Sequence, residues 1–583
     1  MTAATTDALA DLIAAGVGRG DHVGLVVGAG AGAGVGLALP DGRTWASDTD
    51  DPSGLVGRID DAIRPRWVWW SQDTAALLVG DGVRVATCWD VGAVHRLLFG
   101  GWRNDPARAW AASHDRDVDT IPVARQPDLF DPGPRPEELE EPVGPDGHVR
   151  PEWVEGAWST SPDRRARWAA LAVAVAGRQQ AMVDGLTGHP RAPATARAES
   201  TAELLCAELA ADGLPVDRRE AARLIAAIVG PRPRTPAELA ELRTARDGEV
   251  LRHAPPGSST DLRNPDQVRS LLRRIGVEVP DTRAWRLEAH RDEHPLVEAL
   301  LVWRKAERVA TTYGYDWLDE HVGADGRLRG RWSASDGAAG RMTATVGLHN
   351  MPADLRAAVV AEPGHVFVRA DLGQIEPRVL AAVSGDALLA AATRTDDMYA
   401  PVAEQLGVDR ATAKVAVLGA MYGQTTGLGA QALRRLETAY PVAMGYLADA
   451  DVEGQVGRDV RTVGGRLVRM GTTNANEVSD RDARRRAAAR GRYARNAMVQ
   501  GAAAELFKLW AVTVRARGTD LGARIVLCLH DELLVHAPAD RAAATVGVVD
   551  DGLQEAASRW APGGEVRFVA DVSVIDRWSD AKS

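Results

Sequence analysis

A Pro-rich, acidic segment at residues 122–148 divides the 583-residue chain into two unequal parts. Its sequence is PVARQPDLFDPGPRPEELEEPVGPDG followed by His148. The segment is too polar to bury a core, and it therefore predicts a linker. A chain of this length also exceeds what one hydrophobic core supports, so we expect two to four domains.

Residues 1–121 predict a small α/β domain. Two short alternating runs, GVGLALP and RTWAS, are joined at Asp41-Gly42, which is typical of a β-hairpin. A helical pattern follows the linker at about residues 162–185, and from about residue 201 the chain is mainly helical. Two strand patterns interrupt these helices, near residues 365–370 and 525–536.

Composition restricts the class of protein. No segment approaches the roughly 20 uncharged apolar residues that cross a bilayer, and the N-terminus lacks the order of a secretion signal. The three cysteines lie far apart without metal-ligand spacing, which favours a reduced cytosol. Only four of the 69 basic residues are lysines, so a retained lysine indicates a need for a compact, deprotonatable ammonium.

The first candidate for chemistry is the strand that ends at Asp371. In HVFVRAD, residues 365–371, apolar residues alternate with others, and a helical pattern resumes near Glu376. A carboxylate at a strand end is held rigidly and can bind a metal ion. An ordinary turn, in which Asp371 only caps the following helix, is the alternative.

The second candidate is a hairpin tip. The strands IVLCL and LLVHA flank His530, Asp531 and Glu532. Two magnesium ions about 3.5–4 Å apart need carboxylates from separate elements, which Asp371 and Asp531 would supply. A tip that is polar only because it is exposed to water is the alternative.

The third candidate is a helix that Asp409 would cap. It presents Arg410, Lys414, Leu418 and Tyr422 at a spacing of four, so these side chains share one broad face. Arginine and lysine one turn apart can bind a polyphosphate, with the aromatic ring as a stacking surface. A solvated basic face over an apolar stripe is the alternative.

An arginine-rich segment at residues 455–495 contains eleven arginines and four acids. This local excess of positive charge suits a phosphate backbone, although a solvated charged helix would have the same composition. The amides of Asn496 and Gln500 follow, and they could bind acceptors in a minor groove.

Together and in order, these motifs resemble family A DNA polymerases over about residues 201–583. DLGQIEPR is similar to the family's first metal motif, HDE to its second, and the Arg-Lys-Tyr helix to its fingers helix. GRMTATVGLHNMP, residues 340–352, resembles the primer-template loop, and WRKAERVATTY, residues 303–313, a thumb segment. The resemblance implies an α+β multidomain fold with a right-hand polymerase: thumb at about 230–340, fingers at about 388–495, and palm in the remainder of 201–583.

The resemblance also implies an activity and its residues. The activity is template-directed addition of deoxynucleotides to a primer 3′-OH with two Mg²⁺ ions, which Asp371 and Asp531 would bind. Glu532 would lie nearby without binding the metals directly, Lys414 would protonate the departing pyrophosphate, and Glu376 would exclude a ribose 2′-hydroxyl. The implied nucleotide-binding residues are Gln374, Glu376, Arg410, Lys414, Leu418 and Tyr422. The implied primer or template contacts are Arg341, Arg492, Asn496, Gln500 and His530.

Some positions depart from the family's pattern. Leu372 and Gly373 replace the usual Tyr-Ser after the metal-binding Asp371. Leu418 stands where the family has an aromatic residue, and Tyr399 where it often has histidine. These departures concern speed, fidelity and sugar discrimination rather than the metal chemistry.

The N-terminal part resembles the RNase H-like proofreading exonuclease, with residues 149–200 as its helical tail. Where a strand should end in Asp-x-Glu this chain has VGLVVGAGAGAG, and no Asp-x-Glu occurs in residues 1–121. We therefore expect a degenerate domain without proofreading. Two alternatives stay open: a non-catalytic protein that binds primer-template DNA, and a dual enzyme that proofreads through Asp48, Asp50 or Asp90.

The linker contains Gln126-Pro-Asp-Leu129-Phe130, which resembles the QxxLF-type peptide by which bacterial polymerases bind the sliding clamp. The clamp is therefore a candidate partner, with packing of Leu129 and Phe130 onto the N-terminal domain as the alternative. We also expect primer-template DNA and deoxynucleoside triphosphates as partners, no membrane partner, a monomer, a role in DNA repair or gap filling, and a cytoplasmic, nucleoid-associated location.

Overall fold

The computed structural model describes residues 8–124, 140–423, 429–471 and 480–581. Its contacts divide the chain into two compact units, each assembled from separate segments. The first contains Met1–Asp212, Arg331–Thr343 and Gly364–Val574. The second contains Gly213–Gly330, Ala344–Pro363 and Ile575–Ser583. The residues predicted to act on the nucleotide and on the metals therefore all belong to the first unit.

The N-terminal part of the first unit is an α/β layer structure, as predicted. Its five strands form one sheet in the order β3-β2-β1-β4-β5. Strand β1 pairs antiparallel with β2 and parallel with β4. The expected hairpin at Asp41-Gly42 is confirmed as β2 and β3. The elements are α1 Ala8–Ala14, β1 His22–Gly28, β2 Gly34–Ala38, β3 Thr44–Asp48, α2 Pro52–Ile63, β4 Arg66–Trp69, α3 Gln72–Gly80, β5 Cys88–Asp90, α4 Val91–Phe99, α5 Pro106–Ser113, α6 Pro151–Val154, α7 Pro162–Asp184 and α8 Ala192–Asp212.

Helix α7 packs directly on one face of this sheet. It begins at Pro162 after the cap Ser161, whose side chain accepts a hydrogen bond from the Arg164 amide. Glycines on β1 and β2 allow close contact, since a Cβ at Gly36 would lie 2.3 Å from the carbonyl carbon of Arg165. The two faces of the sheet carry separate apolar cores, with α7 covering one and α2 and α3 the other.

The end of the predicted linker is packed rather than extended. Residues 140–148 were expected to belong to it, but Val143 forms a β-bridge with Val149. Arg164 and Arg167 of α7 pair with Glu140 and Glu141. The end of the predicted linker therefore packs against α7, where two arginines pair with its acids.

The second unit is mainly helical. Its core lies between α10, α11 and α13, and contains Val250, Leu271 and Leu300. The hydroxyl of Tyr313, at the end of α13, donates a hydrogen bond of 2.8 Å to the Gly347 carbonyl. The elements are β6 Leu214–Pro215, α9 Arg218–Val229, α10 Pro236–Leu251, α11 Pro265–Arg274, α12 Ala284–Glu288, α13 Pro295–Thr312, α14 Tyr315–His321 and β7 Arg327–Leu328.

The C-terminal part of the first unit contains a four-stranded sheet in the order β13-β14-β10-β15. Both predicted strand regions are confirmed, as β10 and as the pair β13 and β14. The remaining elements are β8 Trp332–Ser333, β9 Thr343–Ala344, β10 His365–Leu372, α15 Ile375–Ser384, α16 Ala387–Ala392, α17 Tyr399–Leu406, α18 Arg410–Tyr422, α19 Gly429–Ala439, α20 Pro441–Gln455, β11 Val460–Arg461, β12 Leu467–Val468, α21 Asp480–Gly518, β13 Arg524–Cys528, β14 Glu532–Pro538, α22 Ala542–Trp560 and β15 Ala570–Ile575.

Helix α8 runs through the domain boundary predicted between residues 200 and 201. Its Leu204 and Ala207 belong to the core of the N-terminal sheet. Its Glu208 pairs with Arg515 of α21 at 2.7 Å. Because one helix packs against both parts, the N-terminal sheet and α21 belong to the same unit. Within the described residues, the helices that are long enough to span a bilayer are not apolar enough to do so.

Candidate active site

Strands β10 and β14 bring the predicted acids together. Asp371 lies opposite Glu532 in the antiparallel register. The Leu372 amide donates a hydrogen bond of 2.7 Å to the Asp531 carbonyl, which holds the hairpin tip against the end of β10. The tip itself is closed by a 2.8 Å bond from the Leu529 amide to the Glu532 carbonyl. Asp371, Asp531 and Glu532 therefore share one edge of the sheet.

Arg369 connects the acids of this edge, and it was not among the residues predicted for the site. Its side chain is buried, and Nη2 lies 2.6 Å from Asp371 Oδ2. Its Nε lies 3.1 Å from Glu532 Oε1, and its Nη1 lies 3.4 Å from Asp571 Oδ2 on β15. The available signal was a charge within a buried strand, since Arg369 lies between Val368 and Ala370 on β10.

The acids outnumber the cation that compensates them. Burial raises the pKa of Asp531 to about 6, and the negative charges of Asp371, Glu532 and Glu376 contribute to the increase. Such repulsion between carboxylates is what a bound divalent cation relieves. Carboxylate oxygens are also the ligands that Mg²⁺ prefers. The donor set of Asp371 and Asp531 therefore fits magnesium ions.

Helix α15 starts directly after this edge. Gln374 precedes it in the left-handed conformation, with φ of 53°. The Gln374 amide oxygen accepts hydrogen bonds from the Arg378 side chain at 3.2 Å and the Met398 amide at 3.1 Å. These bonds fix the turn between Asp371 and Glu376, so the carboxylate of Glu376 is positioned close to the acids at the strand ends.

Glu376 and Tyr422 are in direct contact. The Tyr422 hydroxyl donates a hydrogen bond of 2.8 Å to Glu376 Oε2. Burial raises the pKa of Glu376, while this bond and the charge of Arg341 oppose the increase. Burial and the Glu376 carboxylate raise the pKa of Tyr422 to about 12. The bond connects the end of α18 to the start of α15.

The predicted basic helix is confirmed as α18. Asp409 is its N-cap, and its side chain accepts a 2.9 Å hydrogen bond from the Thr412 amide. Arg410 pairs with Asp397, and both side chains are largely accessible. Lys414 is exposed, and among the described residues it has no carboxylate within ion-pair distance. Leu418 is half-buried against the apolar core around α17 to α20.

The residues expected to contact DNA lie on α21, at the hairpin tip and before β9. On α21, Gln500 lies close enough to Tyr422 to lower the pKa of that hydroxyl. The Asn496 Oδ1 atom is buried and has no hydrogen-bond partner within the described part of the chain. Arg492, also on α21, packs against Gly423 at the end of α18. The structure thus places three of these side chains along one helix.

The other two expected DNA contacts lie near Glu376. Arg341 Nε is 3.6 Å from Asp336 Oδ2. Burial, together with the charge of Arg341, lowers the pKa of His530. The same guanidinium influences Glu376 and Tyr422, so these groups share one electrostatic environment.

A buried ionic cluster supports the segment before Arg341. Lys508 of α21 donates hydrogen bonds to the carbonyls of Ala334 at 3.1 Å and Gly340 at 2.7 Å. Glu199 of α8 pairs with Lys508 and with Arg466, the latter at 2.6 Å. Lys508, one of the four lysines in the chain, therefore holds residues 334–340 in place. The scarcity of lysine indicated that this position matters, but it did not indicate which contacts Lys508 makes.

Comparison with known proteins gives the class of this fold. Over 99% of this chain and 99% of the other, the fold is similar to a solved structure described as the POL domain of Pol1 from M. smegmatis in complex with DNA primer-template and dNTP. The TM-score is 0.68 and the sequence identity 21%. The chain therefore has the fold of that POL-domain structure, and within it β10 and β14 carry the clustered carboxylates.

The sequence comparisons identify the family. The model of DNA polymerase family A matches residues 254–580. The chain is 33% identical over 342 residues to a thermostable DNA polymerase I of Thermus thermophilus, covering 52% of this chain and 40% of that protein. It is 29% identical over 383 residues to that of Thermus aquaticus, covering 59% and 44%. The chain belongs to DNA polymerase family A, and it spans less than half the length of these curated relatives.

Proposed function

We propose that this protein is a template-directed DNA polymerase that extends a primer 3′ end. The observation that carries the proposal is the position of Asp371 and Asp531 side by side at the ends of paired strands, in a chain of family A. The complex of the mycobacterial structure with DNA primer-template and dNTP supports the same substrates.

In this proposal Asp371 and Asp531 hold two magnesium ions, whose positive charge would stabilise the phosphates and the attacking oxygen. Glu532 would lie close to the metals without serving as a direct ligand, and it pairs with Arg369 at 3.1 Å. The protein's own contribution is then the fixed position of the carboxylates, because β10 and β14 hold them in register.

The triphosphate would bind along α18. The exposed Arg410 would exchange its partner Asp397 for a phosphate. The exposed Lys414 would bind the adjacent phosphates and donate a proton to the departing pyrophosphate. Leu418 and Tyr422 would contact the sugar and base, with Gln374 and Glu376 below them. Catalysis in this arrangement consists of positioning and charge neutralisation.

Primer and template would contact Arg341, Arg492, Asn496, Gln500 and His530. The place of Arg492, Asn496 and Gln500 along α21 supports this assignment. A non-catalytic binding protein is disfavoured, because clustered acids repel a phosphate backbone unless cations neutralise them. Extension of a labelled primer in magnesium, measured with DNA binding on the same substrate, separates the two functions.

Substitution of Glu376 tests sugar selection. In Glu376→Ala, the side chain that would occupy the space of a 2′-hydroxyl is removed without a change to Asp371 or Asp531. We expect the preference for deoxynucleotides over ribonucleotides to fall about ten- to a hundredfold. The ratio of kcat/KM for the two sugars measures it. Tyr422→Phe is the matched control, because it removes the bonded hydroxyl but keeps the carboxylate. Unchanged discrimination in Glu376→Ala would place sugar selection elsewhere.

We also propose that the N-terminal sheet is a degenerate RNase H-like exonuclease domain. Strand β1 carries no carboxylate, and α7 lies against it at backbone distance. Asp48 pairs with the buried Arg165. Asp90 is buried, accepts a 3.0 Å bond from Trp69 and caps α4 through the Ala93 amide at 2.8 Å. Two of the three acids that could form an unrecognised site are thus engaged in structural bonds, and Asp50 is exposed.

Loss of proofreading is the corresponding prediction. The purified protein should not shorten a mismatched primer 3′ end in magnesium or manganese, since Asp48 and Asp90 are engaged by protein groups and β1 carries no carboxylate to bind a metal. Gel analysis without nucleotides measures this. Shortening that disappears in Asp48→Asn, Asp50→Asn or Asp90→Asn, but persists in Asp531→Asn, would establish a working exonuclease and contradict the proposal.

The other expectations stay predictions. Gln126, Leu129 and Phe130, the candidate contacts with a sliding clamp, lie outside the described residues. A role in repair or gap filling, a monomeric state and a cytoplasmic, nucleoid-associated location are proposed from the resemblance to the family. The ranges of thumb, fingers and palm likewise remain proposals.

A further inference from the structure

A cavity of about 340 Å³ lies in the first unit, away from the catalytic carboxylates. Its wall includes the end of α4, the Phe99–Arg103 segment, part of α5, and Arg469, which follows β12. The cavity therefore lies where the N-terminal sheet domain contacts the β11–β12 hairpin.

The contact that forms the cavity is specific. Arg469 Nε donates a hydrogen bond of 2.8 Å to the Phe99 carbonyl. Gly100, with φ of 69°, packs so closely that an added Cβ would lie 2.7 Å from the Leu467 carbonyl oxygen. The backbone after α4 thus turns sharply against the hairpin, and the turn directs Trp102 and Arg103 outward.

Two polar groups are buried in the wall of the cavity. His95 is only 2% exposed, and its Nδ1 has no hydrogen-bond partner in the described part of the protein. The same holds for Nε of Arg108, whose closest acid, Asp105, is 4.0 Å away. Burial and the charge of Arg108 lower the pKa of His95 to about 4, so its imidazole is neutral at pH 7 and can both donate and accept.

The mouth of the cavity is aromatic and basic. Trp102 is 64% exposed. Part of its indole packs on Gly337, where an added Cβ would lie 2.3 Å from the ring carbon Cδ2. Arg103 and Arg469 are exposed beside it. Asp459 lies 3.2 Å from Arg469 and partly neutralises it. Arg103 therefore provides the excess positive charge.

We propose that this cavity binds a nucleotide of single-stranded DNA, with the base stacked on Trp102 and the phosphate on Arg103 and Arg469. An exposed aromatic face next to arginines is the usual platform for single strands. Gly337 lies four residues before Arg341, so the cavity adjoins the proposed path of primer or template. That the bound DNA strand is a substrate of the polymerase rests on the proposed function.

Photo-cross-linking locates the contact directly. A 12-nucleotide oligodeoxythymidylate with one 5-iododeoxyuridine is irradiated with the full-length protein, and the cross-linked peptide is mapped by mass spectrometry. We expect the peptide that contains Phe99 and Trp102. Cross-links confined to α18 or α21 would overturn the proposal. Unlabelled oligonucleotide and dTMP serve as competitors. Competition by the oligonucleotide alone supports binding of a DNA strand. Full competition by dTMP supports a nucleotide site, but one that binds a free nucleotide.

Matched variants test the energetics. Trp102→Ala should weaken binding of the same oligonucleotide about tenfold in fluorescence anisotropy, and Trp102→Phe should restore most of the affinity. Trp285→Ala, at a tryptophan that is 63% exposed in the second unit, is the control. Arg103→Glu should weaken binding more than Arg19→Glu, which changes the net charge equally. The proposed site would be refuted if Trp102→Ala and Trp285→Ala, or Arg103→Glu and Arg19→Glu, weakened oligonucleotide binding equally. Competition by polyglutamate as effective as that by the oligonucleotide would also refute it.

The test of DNA binding at this cavity can be separated from the test of the proposed polymerase activity. Extension of a primer on a template with a two-nucleotide overhang is measured in parallel, because it depends on Asp371 and Asp531, which do not line the cavity. A wild-type protein that cross-links through Trp102 but extends no primer would refute the proposed function and leave the cavity assignment standing. Normal extension with unchanged oligonucleotide affinity in Trp102→Ala would refute only the cavity assignment.

Discussion

Asp371→Asn and Asp531→Asn should each lower magnesium-dependent primer extension by about 10³-fold or more, with DNA binding nearly unchanged. Each substitution removes a negatively charged metal ligand, and loss of a group that stabilises transition-state charge has effects of at least this size. Folding should be preserved, because Asp531 lies among carboxylates that repel it. Burial and these neighbouring acids raise the pKa of Asp531 to about 6. The removal of one charge relieves that repulsion. Single-turnover extension and anisotropy on the same primer-template measure the two quantities.

Asp571→Asn is the matched control for these variants. Asp571 also contacts Arg369, at 3.4 Å, but its side chain is 80% exposed on β15. We expect its extension rate to stay within about twofold of wild type, because an exposed ion pair contributes little. A large loss in Asp571→Asn would indicate that the charge balance around Arg369 governs activity. Near wild-type extension by Asp371→Asn would refute its assignment as a metal ligand.

Glu199→Gln should destabilise the protein by about 3–5 kcal/mol, the usual effect of removing one partner from a buried ionic cluster. Glu199, Arg466 and Lys508 are all almost fully buried. Burial acts to raise the pKa of Glu199, but the adjacent Arg466 and Lys508 outweigh it and lower the pKa. Without the carboxylate, two buried cations would remain next to each other. The free energy of unfolding in urea measures the change.

Asp325→Asn is the control for the Glu199 variant. Asp325 pairs with Arg329 at 2.6 Å on the surface of the second unit, where both side chains are accessible. We expect a loss below about 1 kcal/mol, because solvent screens such a pair. The double variant Glu199→Leu with Lys508→Met should recover stability relative to Glu199→Gln, since one buried cation is removed with its partner. Equal destabilisation by Glu199→Gln and Asp325→Asn would contradict the importance of the cluster.

Local patterns in the sequence predicted the elements that carry the site. Alternation identified β10 and the β13–β14 hairpin, and the cap Asp409 identified the start of α18, because these signals arise within a few neighbouring residues. The resemblance to family A is confirmed by the match to residues 254–580. The fold class followed from that resemblance rather than from periodicity.

Contacts between distant segments could not be predicted in this way. Arg369 binds acids that lie 2, 163 and 202 residues away along the chain. The cluster of Glu199, Arg466 and Lys508 joins three separate elements, and each residue alone resembles an ordinary surface charge. The helix α8 also has apolar residues on both sides of the predicted boundary at residue 200, so composition could not show that it packs against two parts. Tertiary packing decided these features.

Incorporation of a single nucleotide tests template-directed synthesis most directly. Purified full-length protein is mixed with a labelled primer on four templates that differ only in the next base, and with each deoxynucleotide in turn in magnesium. We expect one-nucleotide extension with the complementary nucleotide on every template and little with the other three. Tight binding of the primer-template without extension on any template would contradict the proposed polymerase activity and support a non-catalytic binding protein.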